Sequence, residues 1–294
     1  MQVKCLELDG LRQRLYDRSR AEEFTVYVEH PITLYAGDFV ALLGPSGCGK
    51  TTLLTVLGLL RAPTNPQQLK KFSIWIPGPD GGRQELDLRA AWLQRRRRMI
   101  EDVRRRHIGF ALQSGELISS LTVWENIAAP LYLNGVSRAE RNGRVEQLLD
   151  AFRLRRRIDG GTNAHGKPLS TRSISLASSR INRLSGGEYQ RVALARSIAH
   201  RPVVNFVDEP TSALNRELAR GALQVLGDLQ QEQDGHGPRG VTVMITHDEH
   251  LADEFCNVLI RMAPRPHAPA GEVIQVVRRD KTPVAFEMAT SETP

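Results

Sequence analysis

The chain has 294 residues, of which 40% are apolar and 25% charged, and its net charge is +7. That balance fits a globular protein with one large α/β unit or two small domains, and it excludes a disordered or membrane-embedded chain. The longest apolar stretch, around Leu53 to Leu60, falls far short of a bilayer span, and three scattered cysteines supply neither a disulfide framework nor zinc-ligand spacing.

The first residues, Met1 to Asp9, become acidic before any apolar segment develops, so no secretory signal is expected and a reducing cytosol is the expected compartment. Phe39 to Leu43 is a continuous apolar run, the pattern of a strand buried on both faces, and Thr51 to Leu60 is spaced as a helix. Between them lie Gly44, Pro45, Ser46, Gly47, Cys48, Gly49, Lys50 and Thr51, with glycines at the first and sixth positions followed by Lys and Thr. Strand, glycine loop and helix in this order form a phosphate cradle: successive amide N–H groups surround phosphates, Lys50 reaches the outer ones, and the Thr51 hydroxyl binds Mg²⁺.

Pro63 to Gly82 reads as irregular strands and turns, and Leu86 to about Arg106 has helical periodicity. A short strand, Ile108 to Gln113, follows. Ligands of open α/β sheets bind at strand C-terminal ends, so Gln113 is a candidate contact to Mg²⁺ or the attacking water, against a plain reading as a capped turn residue. Residues 117 to 157 are largely helical, with Val123 to Tyr132 and Arg138 to Phe152 as the clearest pieces. Asp159 to Ser179, rich in Gly, Ser, Thr and Asn, reads as an exposed loop.

Leu184-Ser185-Gly186-Gly187-Glu188-Tyr189-Gln190-Arg191 opens a second helix on a Ser-Gly-Gly turn, and its free N–H groups also suit an anion. One nucleotide does not need two cradles from one chain. Either each monomer has two sites, or each nucleotide is gripped by two copies of the protein.

Val203 to Val207 is a buried strand that ends in Asp208 and Glu209. Neighbouring side chains on an extended segment point opposite ways, so the two acids are expected to differ in role: Asp208 in the Mg²⁺ shell, Glu209 polarising a water for attack on the γ-phosphate. Asn205 is a polar amide in that buried strand and needs a partner. The last parallel strand, Val241 to Thr246, delivers His247 beside the phosphates. Val258 to Val277 reads as a hairpin, and residues after Asp280 as a loose tail.

The order of these motifs resembles the ATP-binding cassette (ABC) ATPases, over about residues 1 to 278, and Leu184-Ser185-Gly186-Gly187 is the motif specific to that family. The resemblance implies a P-loop NTPase (RecA-like) α/β core with an antiparallel β subdomain and an inserted α-helical subdomain at about 114–187, within one ATP-binding domain over 1–280. It also implies head-to-tail dimers with ATP between the glycine loop of one copy and the signature of the other. On that pattern Gly44 to Thr52 bind phosphates and Mg²⁺, Gln113 is the Q-loop glutamine, Ser185, Gly186, Gly187 and Glu188 contact the γ-phosphate in trans, Glu209 is the catalytic base and His247 the switch histidine. Adenine is expected to stack on Tyr16, with Phe24 as the alternative.

Arg106 to Gln113 and Leu121 to Leu131 are similar to the branch of lipoprotein-releasing, macrolide-exporting and cell-division ATPases, which implies a separate integral membrane permease subunit and a place at the cytoplasmic membrane face. Three departures stand out. Asn215 replaces the family's aspartate, which weakens the expected coupling between the dimer's two sites, and residues 62–107 and 154–183 are longer than usual, predicting contact with a dedicated partner.

Three other functions compete with this reading. A DNA-maintenance ATPase would use the basic runs Arg95 to Arg98, Arg104 to Arg106 and Arg155 to Arg157, but these wrap around helices without interleaved aromatic residues, so no nucleic-acid partner is expected. A regulator of a cell-envelope or division machine that moves no substrate would share the same ATPase half. A GTPase is disfavoured by the lack of an Asn/Thr-Lys-x-Asp base-reading motif.

Overall fold

The computed structural model describes residues 2–17, 22–112, 117–158, 172–231 and 240–279. Gln113, most of the loop read at Asp159 to Ser179, and the tail after Asp280 lie outside the described residues. The chain begins with five strands, β1 (Lys4–Asp9), β2 (Leu11–Asp17), β3 (Glu22–Val28), β4 (Ile32–Tyr35) and β5 (Phe39–Leu43), followed by α1 (Lys50–Leu57). Then come β6 (Lys71–Pro77), β7 (Arg83–Asp87), α2 (Leu88–Leu93), α3 (Arg97–His107) and β8 (Ile108–Ala111). A helical stretch follows, with α4 (Val123–Leu133), α5 (Arg138–Ala151), the strands β9 (Arg155–Ile158) and β10 (Arg172–Ser175), and α6 (Gly186–Ile198). The chain closes with β11 (Val204–Asp208), α7 (Arg216–Gln231), β12 (Val241–Ile245), α8 (Glu249–Phe255), β13 (Val258–Pro264) and β14 (Ala270–Arg278).

Eight strands form one sheet in the order β2-β3-β14-β13-β5-β12-β11-β8, and four form an antiparallel sheet in the order β4-β1-β6-β7. The centre of the larger sheet, β8, β11, β12, β5 and β13, is parallel throughout. Strand alternation divides β5 between two cores: Val40 and Leu42 pack with Leu53, Leu54 and Leu57 of α1 and with the smaller sheet, while Phe39, Ala41 and Leu43 pack against α4 to α7. Both faces are therefore apolar, which is why β5 reads as an unbroken hydrophobic run. Among the described residues, no helix is long and apolar enough to cross a membrane.

The structure corrects several boundaries. The helix expected from Leu86 to Arg106 is interrupted between α2 and α3, where Arg95 takes a left-handed backbone (φ 54°), and Leu86 belongs to β7. α1 stops at Leu57 rather than Leu60, because Gly58 lies against the Phe110 ring and Leu59 turns left-handed (φ 59°). Residues 155–157, expected at the end of a helical stretch, belong instead to β9, which pairs with β10. Asn205, flanked in the sheet by Gly109 and Thr242, is fully buried with no hydrogen-bond partner for its amide among the described residues. Most of the basic residues of α3 serve the fold: Arg104 donates to the Leu59 carbonyl, while Arg105 and Arg106 pair with Asp102. Arg95 to Arg98 stay exposed.

One buried charge ties the final hairpin to the centre. Asp38, 4% exposed in the turn before β5, accepts from both terminal nitrogens of Arg278 at 2.5 and 2.9 Å, from Asn257 Nδ2 at 3.1 Å and from the Tyr35 amide at 2.7 Å. Removing the guanidinium leaves a buried carboxylate short of its counter-charge. Arg278→Ala is expected to cost about 3 kcal/mol in denaturant unfolding, whereas a change below about 0.5 kcal/mol, the level of an ordinary surface substitution, would remove this pair from the account.

Candidate functional site

The glycine loop leaves the end of β5 and runs into α1 at Lys50, so the first amides of α1 have no intrahelical acceptor and face the loop. Gly49 holds a left-handed backbone (φ 95°), and a Cβ there would run into the Val26 side chain of β3. From the other side, β14 presses so closely that a Cβ at Gly271 would collide with the Cys48 carbonyl. The loop is thus clamped by strands from both ends of the chain. Lys50 is only 7% exposed, and its Nζ donates to the carbonyls of Gly44 at 2.7 Å and Pro45 at 2.9 Å, closing the loop upon itself. Cys48 is buried, and desolvation raises its thiol pKa, which keeps it protonated inside the cradle.

Beside the loop, β11 ends in the two acids. Asp208 is buried and lies 3.4 Å from the Thr51 hydroxyl, which places a carboxylate next to a hydroxyl at the mouth of the cradle. These are hard oxygen donors, the set that suits Mg²⁺. The expectation that the acids diverge by simple strand alternation needs correction. The strand ends at Asp208, and Glu209 turns left-handed (φ 49°), a conformation costly for a non-glycine residue. Its amide donates to the Ile245 carbonyl at 3.0 Å. The Glu209 side chain is 14% exposed, and its Oε1 sits 3.3 Å from His247 Nε2, an ion-pair distance without hydrogen-bond alignment. His247 follows β12, with Thr246 between them, and is half exposed. The next residue, Asp248, is a helix cap that accepts from the Leu251 amide at 3.0 Å.

The second cradle is a capped helix N-terminus. The Ser185 hydroxyl accepts from the Glu188 amide at 3.3 Å, while the Glu188 carboxylate accepts from the Ser185 amide at 2.8 Å. Ser185 and Glu188 thereby satisfy each other, and the amides of Gly186 and Gly187 are the ones left for an anion. Gln190, one turn along α6, reaches the Glu209 carbonyl, a contact that the motif reading did not anticipate. Asn215 caps α7 by accepting from the Leu218 amide at 2.9 Å, a role that Asn fills as well as Asp but without its charge. Tyr16 lies near the end of β2 and is 62% exposed, whereas Phe24 on β3 packs its ring against Gly49.

A glycine loop between a parallel strand and a helix, with an Asp-Glu pair on a nearby strand, defines a P-loop nucleoside triphosphatase. Comparison with known proteins narrows the class. The family model described as ABC transporter matches residues 29–212, more than half of the chain. The chain is 34% identical over 229 residues to an uncharacterized ABC transporter ATP-binding protein of Thermotoga maritima, covering 78% of this chain and 80% of that one. It is 33% identical over 260 residues to the lipoprotein-releasing system ATP-binding protein LolD 1 of Rhodopseudomonas palustris, covering 87% and 95%. With the macrolide export ATP-binding/permease protein MacB 1 of Aeromonas hydrophila it shares 30% identity over 99% of its own length, but spans only 37% of that protein. A dimeric, post-hydrolysis structure of the ATP-binding cassette MJ0796 bound to ADP and Pi superposes with a TM-score of 0.63 at 27% identity, covering 93% of this chain and 98% of that one. The chain belongs to the ABC transporter family and is one of its ATP-hydrolysing cassettes.

Burial raises the pKa of both Asp208 and Glu209, with Lys50 and His247 opposing the shift at each and Asp208 adding to it at Glu209. A raised folded-state pKa means that the folded protein holds these protons more tightly than the unfolded chain. The contribution to stability is fully present below the ordinary carboxylate range and is lost as pH rises through the raised values. Glu209→Gln is therefore expected to raise the thermal midpoint of the nucleotide-free protein at about pH 7, with the gain vanishing near about pH 4, where the unfolded chain's carboxylates also protonate. A lowered or unchanged midpoint at neutral pH would contradict the burial argument.

Proposed function

We propose that the chain is the ATP-hydrolysing subunit of a membrane complex, in which two copies close head to tail on ATP and drive a separate integral membrane permease subunit at the cytoplasmic membrane face. The observation that carries this reading is the pair of anion cradles at the starts of α1 and α6, the first of which has its Thr51 hydroxyl 3.4 Å from the Asp208 carboxylate. Support for two copies comes from the dimeric cassette bound to ADP and Pi, and support for a membrane partner from relatives named for lipoprotein release and macrolide export.

In the proposed site, Gly44 to Thr52 of one copy cradle the phosphates, and Ser185, Gly186, Gly187 and Glu188 of the other meet the γ-phosphate. Thr51, Asp208 and Gln113 would hold Mg²⁺, which would neutralise charge on the phosphate oxygens. Glu209, whose own pKa burial raises, takes a proton from water as that oxygen attacks the γ-phosphorus and the bond to the β-phosphate oxygen breaks, releasing ADP and Pi. His247, 3.3 Å from the Glu209 carboxylate, orients that acid and senses the γ-phosphate. Tyr16, largely exposed, offers the adenine-stacking face that Phe24 has already spent on the loop.

Glu209→Gln is expected to keep ATP-dependent dimers while slowing turnover by about 10²- to 10⁴-fold, measured as phosphate release; near-normal hydrolysis removes Glu209 from the role of base. Lys50→Ala is expected to lose ATP binding in calorimetric titration, and unchanged affinity would count against the cradle. Purification from native membranes is expected to bring down a membrane protein with the chain, and recovery of the chain alone would contradict the complex.

A further inference from the structure

The left-handed backbone of Glu209 is unfavourable, so something must hold it: the Ile245 carbonyl holds its amide, and its carbonyl accepts from the Ser212 amide within the turn and from a side chain of α6. Gln190 on α6 donates from Nε2 to the Glu209 carbonyl at 2.7 Å and accepts at Oε1 from the Ala213 amide at 3.0 Å. A single planar amide therefore spans both ends of the turn from Glu209 to Ala213. Ser212 adds a hydroxyl donor to the same Glu209 carbonyl at 3.1 Å. The start of α6 packs on this turn as well: a Cβ at Gly187 would lie 3.1 Å from Leu214 and 3.3 Å from the Ala213 carbonyl. The helix that opens at Ser185 and the turn that carries Glu209 thus form one packed unit.

We infer that Gln190 is a positioning residue that fixes the aim of the Glu209 carboxylate and ties it to the helix that begins at the signature. The inference rests on the reading of Glu209 as the base. Its chemical logic is that the amide contributes one donor and one acceptor in a fixed plane, so neither a carboxylate nor an apolar side chain of similar size reproduces it. Movement of the N-terminus of α6 is transmitted to Glu209 of the same copy through this amide. A composite site formed with a second copy would then report to the acid of the neighbouring site.

The test uses the full-length chain and follows ATP hydrolysis in steady state and in single turnover. Gln190→Met removes both hydrogen bonds at similar size; Gln190→Glu keeps an acceptor for the Ala213 amide but loses the donor to Glu209. Both variants are expected to lower kcat by about tenfold or more while KM for ATP stays within about twofold, the signature of a misaligned reacting group. A structural role alone would lower the thermal midpoint and leave kcat per folded protein unchanged. Combining Gln190→Met with Glu209→Gln is expected to slow single-turnover hydrolysis no further than Glu209→Gln alone, because residues acting through one another are not additive. Unchanged kcat in both Gln190 variants beside an impaired Glu209→Gln would overturn the inference while sparing the base. A fully additive double variant would overturn it too. Near-normal hydrolysis by Glu209→Gln itself would overturn the underlying reading and this one with it.

Discussion

The parallel pairing of β5, β12 and β11 is the constraint on which the rest of the molecule depends. Parallel strands put their C-terminal ends on one edge, and here that edge receives the glycine loop after β5, Asp208 at the end of β11 with Glu209 following it, and His247 after β12. Groups separated by some 200 residues of sequence become neighbours because three apolar strands share a register. The same edge is enclosed by β3 and β14, which press on the loop at Gly49 and Cys48. Burial raises the pKa of both acids, so the arrangement that makes the site also burdens the free protein with two desolvated carboxylates.

The second cradle stands apart from this edge in kind. α6 spends Ser185 and Glu188 on its own capping box, and its link to the acids is indirect, through Gln190 and the packing of Gly187 on the turn after Glu209. Under the proposed head-to-tail arrangement, one end of α6 meets a nucleotide held by another copy while its first turns touch the acid of its own. Asn215 lies just past that turn and keeps the cap of α7 without the charge of an aspartate.

Much of this was legible in the sequence. A continuous apolar run marked β5, and mostly apolar runs broken by Asn205 and Thr242 marked β11 and β12, because both faces of these strands are covered, and the glycine loop and the Ser-Gly-Gly turn announced helix starts. The left-handed turn at Glu209 was not legible, because a strand pattern carries no sign of where its backbone reverses. Gln190 was hidden for a related reason: its partners lie 19 and 23 residues away, and a glutamine on a helix face looks solvated. The break at Arg95 defeated a periodicity that continues across it. α7 did carry a signal, since Ala219, Ala222, Leu223, Leu226 and Leu229 recur at helical spacing on its buried face.

The central claim is that each nucleotide is gripped by two copies, and it is tested most directly by mixing two variants in a Glu209→Gln background. Lys50→Ala disables the glycine loop and leaves the signature intact. Gly186→Asp does the reverse: the site has room for a side chain, with Ala213 Cβ at 3.6 Å, and an acid at the start of α6 suits the helix while repelling a phosphate. Neither variant alone can complete a two-copy site, but one copy of each supplies an intact loop facing an intact signature. The account predicts that ATP drives association of the mixture and of neither variant alone, measured by light scattering. A mixture that stays monomeric with ATP, like its separate parts, would contradict it.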